Sequence, residues 1–202
     1  MAELPLSERP AELSERADAA ENRRRILDAA RRLFAERGPE HVSMQDVAQA
    51  ACVGMGTMYR RFGDRTGLTF ALLDERHRAF QEELLRGAPP LGPGAPARER
   101  LHAFGHGLLE LLEQDAELQV SAAPLHSPLA GPSVAYRTHL TVLLHEAAPQ
   151  IDVEYAVETL LAAFDPRLHL HLRYERGWPL ARVHAGWCAL ADGWLDGSAA
   201  PA

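Results

Sequence analysis

Apolar residues recur along most of this chain at helical spacing, and the interruptions fall where helix breakers stand. Ile26, Leu27, Ala30, Leu33 and Phe34 form one stripe, which Gly38-Pro39 ends. Arg23, Arg24, Arg31 and Arg32 are left to other faces. Ser43 with Asp46 three residues on is a cap-like start for a second helix, 44–50, which buries Met44, Val47 and Ala48. A turn at 51–53 leads to a third helix from about Gly54 to Arg61. Met58 and Phe62, at i and i+4, face inward there, leaving Met55, Gly56, Tyr59 and Arg60 outward. Asp64 can cap a fourth helix whose stripe is Leu68, Leu72, Leu73 and Phe80.

The segment 87–97, GAPPLGPGAPA, holds four Pro and three Gly in eleven residues, so neither helix nor strand runs through it. The helical period returns at 98–114 with Leu101, Phe104, Leu108, Leu111 and Leu112. It continues over roughly 132–148, 152–175 and 179–196, with SAAPLHSPLAGP (121–132) a broken connection. Only Gly177-Trp178-Pro179 separates the last two helices, and short connections make antiparallel neighbours. No window alternates as a strand does, so the fold class is all-α.

Two short helices meeting at a three-residue turn, the second slim, are the layout of a helix-turn-helix, whose second helix enters a DNA major groove. Three regions follow. Residues 1–20, with Pro5, Pro10 and scattered charges, read as a flexible N-terminal arm. Residues 21–66 are the helix-turn-helix domain, and 67–202 are a helical regulatory and dimerisation domain.

The net charge of −7 argues against a nucleic-acid binder until its distribution is read. Residues 21–65 hold nine Arg against six acids, so this stretch is about +3 and the remainder about −10. A modestly basic module on an acidic body is what one phosphate-facing end requires. No run approaches the ~18 uninterrupted apolar residues of a membrane span. The acidic N-terminus is unlike a secretory signal, so a cytoplasmic address is expected. Cys52 and Cys188 stand far apart with no CxxC spacing, which disfavours a disulfide framework or structural zinc.

At residues 23–70 the chain resembles the TetR family of transcriptional repressors. The resemblance is carried by RILDAARRLFAERGPEHVSMQDVAQAA at 25–51 and GTMYRRFGDRTGL at 56–68. It implies an all-helical homodimer that binds a double-stranded, pseudo-palindromic DNA operator and is released by a small-molecule effector. The last two long helices, about 152–175 and 179–196, would form the dimer interface. Position by position, Gly56, Thr57 and Tyr59 match the recognition-helix motif. Thr57 and Tyr59 would contact phosphate, and Gly56 would let the backbone approach the groove. Arg65 stands where Lys is usual and would hold a phosphate, and Ser43 matches the residue that opens the second helix. Met55 and Arg60 occupy variable positions and are candidates for base contacts, an Arg favouring a guanine edge.

Two positions depart from the family pattern. Gly is usual in the turn where Cys52 stands, because the backbone there needs a conformation cheap only for Gly. Ser or Thr is usual where Gly54 caps the recognition helix. Each departure costs up to ~1 kcal/mol by these rules. Cys52 itself reads either as a small buried apolar residue or as a thiol whose oxidation alters DNA binding.

Effector-site candidates are Phe104, His106, Tyr136, His139 and Phe164, on the segments expected to line a pocket. His102 and His106, at i and i+4, share a helix face, but no cysteine stands at matching spacing in sequence, so neither metal nor cofactor is expected. No nucleophile–base pair, phosphate loop or HExxH motif supports an enzyme. Two other readings stay open: a helical metal-binding protein or enzyme using the His-rich body, and a DNA-binding adaptor controlled by a protein partner.

Overall fold

A computed structural model describes residues 10–122 and 132–197. Among these residues there are helices and no strand, as the sequence pattern requires. The expected arm at 1–20 ends earlier than its composition suggests. Helix α1 begins at Pro10 and runs to Arg37, because Pro fits a helix's first turn and the Ala- and Glu-rich residues after it are good helix formers. Residues 1–9 of that arm, and 123–131 of the expected broken connection, lie outside the described residues.

The chain divides into two compact units, residues 1–72 and 73–202, a boundary inside a helix rather than at the expected 66/67. The first unit is built from α1, a 3-10 turn Pro39–His41, α2 (Met44–Ala50), α3 (Met55–Phe62) and the start of α4 (Arg65–Arg86). Ile26, Ala30 and Leu33 of α1 pack with Val47 and Ala48 of α2, Met58 and Phe62 of α3, and Leu68 and Leu72 of α4. The expected stripes of the first three helices therefore meet in one small core with Leu68 and Leu72 of the fourth, whose Phe80 belongs to the other core.

The second unit holds the rest of α4, then α5 (Ala97–Ala122), α6 (Pro132–Ala147), α7 (Val153–Ala162), α8 (Pro166–Leu170) and α9 (Leu180–Asp196). Its core joins Phe80 and Leu84 of α4 with Leu101, Phe104, Leu108 and Leu112 of α5, Leu140 and Leu144 of α6, Leu160 of α7 and Trp187 of α9. Helix α5 is central and packs against α6, α8 and α9. It approaches α9 closely at Gly105, where the Trp187 indole lies against the backbone and donates from Nε1 to the Leu101 carbonyl at 3.2 Å.

The single helix expected over 152–175 is broken. Asp165 caps a new helix by accepting from the amides of Arg167 (2.8 Å) and Leu168 (3.0 Å), with Pro166 in its first turn. Proline has no amide to continue α7 and its ring favours a helix start, so the break follows from Asp165-Pro166. After Leu170 the helix widens into a π-turn, His171–Glu175.

Candidate functional site

The helix-turn-helix is held by local devices. Ser43 and Asp46 form a reciprocal capping box: the Ser43 hydroxyl accepts from the Asp46 amide at 3.1 Å, and Asp46 Oδ2 accepts from the Ser43 amide at 2.9 Å. The Ser43 hydroxyl also donates to that carboxylate at 2.6 Å. These bonds hold the Asp46 carboxyl below the usual carboxylate range. The Ser43 side chain is thus occupied by its own helix start.

Between α2 and α3 the backbone turns through Cys52 at φ +53°, left-handed as the sequence comparison with the family pattern anticipates. The Cys52 side chain is exposed, so the reading of it as a small buried residue is overturned. Helix α3 opens on Gly54 with no side-chain cap, the second expected departure. Nothing in the sequence marks Arg25 as a brace, yet its guanidinium donates to the Ala51 carbonyl at 2.6 Å and the Cys52 carbonyl at 3.4 Å. It braces the turn from α1 and is not free for phosphate in this arrangement. Arg24 pairs with Glu21, and Arg23 lies over the Phe62 ring, 5.4 Å from its centroid.

On α3 itself, Met58 and Phe62 are buried and Tyr59 is 55% exposed. Arg60 is exposed and Thr57 is half-buried. A Cβ at Gly56 would meet nothing within 4 Å, so packing within the chain does not demand glycine there. Met55 differs from its outward assignment, since it is half-buried and packs against the core. Its position at the first turn of an eight-residue helix leaves it on the edge of the buried face. Arg65 is exposed and donates to the Pro39 carbonyl. Gly56, Thr57, Tyr59 and Arg60 therefore lie together on one short helix, with Arg65 just beyond it.

In the second unit four of the five effector-site candidates converge. The Phe104 ring lies 5.6 Å from Tyr136, 5.5 Å from His139 and 5.8 Å from Phe164, centroid to centroid. The rings of the cluster are closely packed. Two features are costly for a purely structural core: Nε2 of His139 and Nε of Arg100 are buried with no hydrogen-bond partner. Burial, with Arg100 adding to it, pushes His139 down to about 4. Tyr136 is raised by burial, and its hydroxyl lies 2.7 Å from Nδ1 of His77. The fifth candidate, His106, is absent from this cluster and stacks instead on His184 of α9. A surface cleft of about 470 Å³ opens elsewhere, between α6 and α7, beside Arg137, His145 and Glu158.

The family model for bacterial regulatory proteins of the tetR family matches residues 26–72. An HTH-type transcriptional regulator from Staphylococcus aureus (strain bovine RF122 / ET3-1) is 43% identical over 65 residues, covering 32% of this chain and 35% of that protein. The chain thus matches about a third of the length of such curated relatives. Over the whole fold, a Rhodococcus sp. protein assigned to the TetR-family transcriptional regulators superposes with a TM-score of 0.64. The two are 26% identical, over 87% of this chain and 99% of that one. The regulator FadR from Bacillus subtilis, solved with stearoyl-CoA, has the same fold at 20% identity, a TM-score of 0.59 and coverage of 83% and 96%. Residues 26–72 are thus a helix-turn-helix head of the tetR family of bacterial regulatory proteins, and the whole chain has the fold of TetR-family transcriptional regulators.

Proposed function

We propose that the protein is a ligand-responsive repressor that binds a pseudo-palindromic operator as a homodimer. The observation that carries the reading is the outer face of α3. An aromatic hydroxyl, an arginine and an unobstructed glycine backbone stand exposed there, beyond a face fully used by the core. A helix of that width enters the major groove. Tyr59 and Thr57 contact phosphate, Arg65 leaves the Pro39 carbonyl for a phosphate, and Arg60 reads a guanine edge. Met55 assists only at the groove's margin. Ser43 contributes by fixing the start of α2, since its hydroxyl and its amide are both engaged with Asp46.

Two such helices, related by a twofold axis, require an inverted repeat. The dimer forms through α9 and the segment 166–175, the second part of the stretch expected as one helix over 152–175. Exposed Leu168, Tyr174 and Leu190 supply apolar surface on these elements.

The effector enters beside Phe104, Tyr136, His139 and Phe164, parting the rings and meeting the unpartnered His139 Nε2. An apolar molecule with one hydrogen-bonding group suits that environment. The signal passes through α4, which contributes to both cores. The effector acts only by favouring the form that does not fit the operator.

Selection of bound duplexes from a random DNA pool tests this reading. An inverted repeat is the expected recovery. Recovery of no motif at low salt, where weak binding survives, would overturn it.

A further inference from the structure

Among the described residues of the second unit, the half-buried arginines are Arg76, Arg98, Arg100, Arg137 and Arg173. Arg76 pairs with Asp115, Arg98 with Asp192 and Asp196, Arg137 with Glu158, and Arg173 with Glu113. Arg100 differs. Among the described residues it has no carboxylate partner, and its Nε is shut off from solvent without a hydrogen bond. It stands one helical turn before Phe104, so the two share a face of α5. On α6, the ring of His139 lies 5.5 Å from that of Phe104, and its Nε2 is likewise buried without a partner. Burial, and then the nearby Arg100 charge, disfavour a proton on His139, so the imidazole is neutral at neutral pH.

One unpaired positive charge and one uncharged imidazole thus adjoin the aromatic cluster. A guanidinium taken out of water without a counter-ion is costly, and an anion that pairs with it recovers that cost. Nε and a terminal nitrogen of Arg100 present two parallel N–H groups, a fork whose spacing fits the two oxygens of a carboxylate. Because His139 is neutral, a single negative charge balances the corner. Helix α5 begins at Ala97, so Arg100 lies in its first turn, where the helix dipole adds to the attraction for an anion.

We propose that Arg100 and His139 form the polar end of the effector site, and that the effector is an organic monocarboxylate with an apolar body. This rests on reading the aromatic cluster as the effector site and adds the charge of the ligand. The carboxylate accepts two hydrogen bonds from the Arg100 fork and one from Nε2–H of His139, in the tautomer with its proton there. The apolar body lies among Phe104, Phe164 and Trp187, whose rings already adjoin one another. A neutral or cationic molecule of the same shape leaves Arg100 unpaired, so the corner selects by charge.

Phenylbutyrate, phenylbutyramide and phenylbutylamine share one apolar body and differ in charge. Calorimetric titration of each into the full-length protein tests the inference. Trp187, whose ring lies 4.6 Å from that of Phe164, reports binding at the cluster through its emission. Phenylbutyrate is expected to bind at one site per chain, about tenfold or more tightly than the amide, and the amine not at all. Arg100→Gln should weaken phenylbutyrate by about tenfold or more and leave the amide within about twofold. Circular dichroism checks that the variant folds. If it does not, Arg100→Lys decides, since it keeps the charge without the fork and should weaken the carboxylate more than the amide. Equal weakening of the two would refute the fork. Equal affinity of wild type for carboxylate and amide, with both changing the tryptophan emission, overturns the charge assignment and leaves the effector site standing. So does a folded Arg100→Gln that binds phenylbutyrate as the wild type does. If none of the three compounds binds, the effector site and its charge fall together.

Discussion

The Arg25 guanidinium on α1 donates to the main-chain carbonyl of Ala51 at 2.6 Å, at the end of α2 and one residue before the strained turn. A hydrogen bond from a charged donor contributes about 1.5–3 kcal/mol, and here it also holds the recognition helix in place. Arg25→Ala is expected to lower the head's stability by about that amount. The check is a urea melt of the full chain, following a probe placed in residues 21–66. An unchanged midpoint would show that the turn needs no brace from α1.

Cys52 sits at φ +53°, where a side chain costs roughly 1–2 kcal/mol, more than the ~1 kcal/mol expected from the sequence. Glycine removes that cost but surrenders ~0.5–1 kcal/mol of extra chain entropy on folding. The strain is the larger effect, so Cys52→Gly is expected to stabilise the head by about 0.5–1 kcal/mol. The same denaturation experiment reads it, and a lower midpoint would refute the strain argument.

Gly105→Ala tests the closest approach in the second unit. Helix propensity alone favours alanine by about 1 kcal/mol. Its Cβ, however, would fall 1.8 Å from Nε1 of Trp187, displacing the indole and its bond to Leu101. Overpacking costs typically ~1–3 kcal/mol and the lost bond adds to it. A net loss of stability is expected, together with a changed tryptophan emission. A more stable variant would mean that α5 and α9 part readily.

The buried histidines make stability depend on pH. His139 is pushed from 6.5 down to about 4 by burial, and His77 is also lowered, chiefly by burial. In that interval the unfolded chain binds protons that the folded one refuses, so stability falls as pH drops from about 6.5 towards 4. A separate window belongs to Glu113. Hydrogen bonds from Arg173 and His169 depress its carboxyl, and its contribution is lost below 4.5, as pH falls through the depressed value. Urea midpoints measured across pH 4 to 7 should slope downward on the acid side. His139→Asn should flatten the slope, and an unaltered slope would remove His139 from the account.

The head was largely legible in the sequence because its signals are local. The Ser43–Asp46 box, the inward Met58 and Phe62 and the strained position of Cys52 all act within a few residues of themselves. Arg25 was not legible, because its partner lies 26 positions away and nothing in its own helix marks it. In the body, the stripe of α5 and the extent of α6 were readable. The break at Asp165-Pro166 carried its own signal, an acidic cap before proline, but the apolar period running through it concealed the stop. Which aromatics would meet is a matter of tertiary packing. His106 and Phe104 share a segment expected to line a pocket, yet the two residues occupy different faces of α5.

DNA reading by the outer face of α3 is tested by affinity across a salt series. Fluorescence anisotropy would compare the wild type, Arg60→Ala and Arg65→Ala on the selected inverted repeat and on a scrambled duplex. The wild type should prefer the repeat. Arg60→Ala should lose about 1–3 kcal/mol on the repeat and narrow that preference, while Arg65→Ala should weaken both duplexes alike and reduce the salt slope by about one. Equal affinity of the wild type for both duplexes, or three indistinguishable curves, would contradict it.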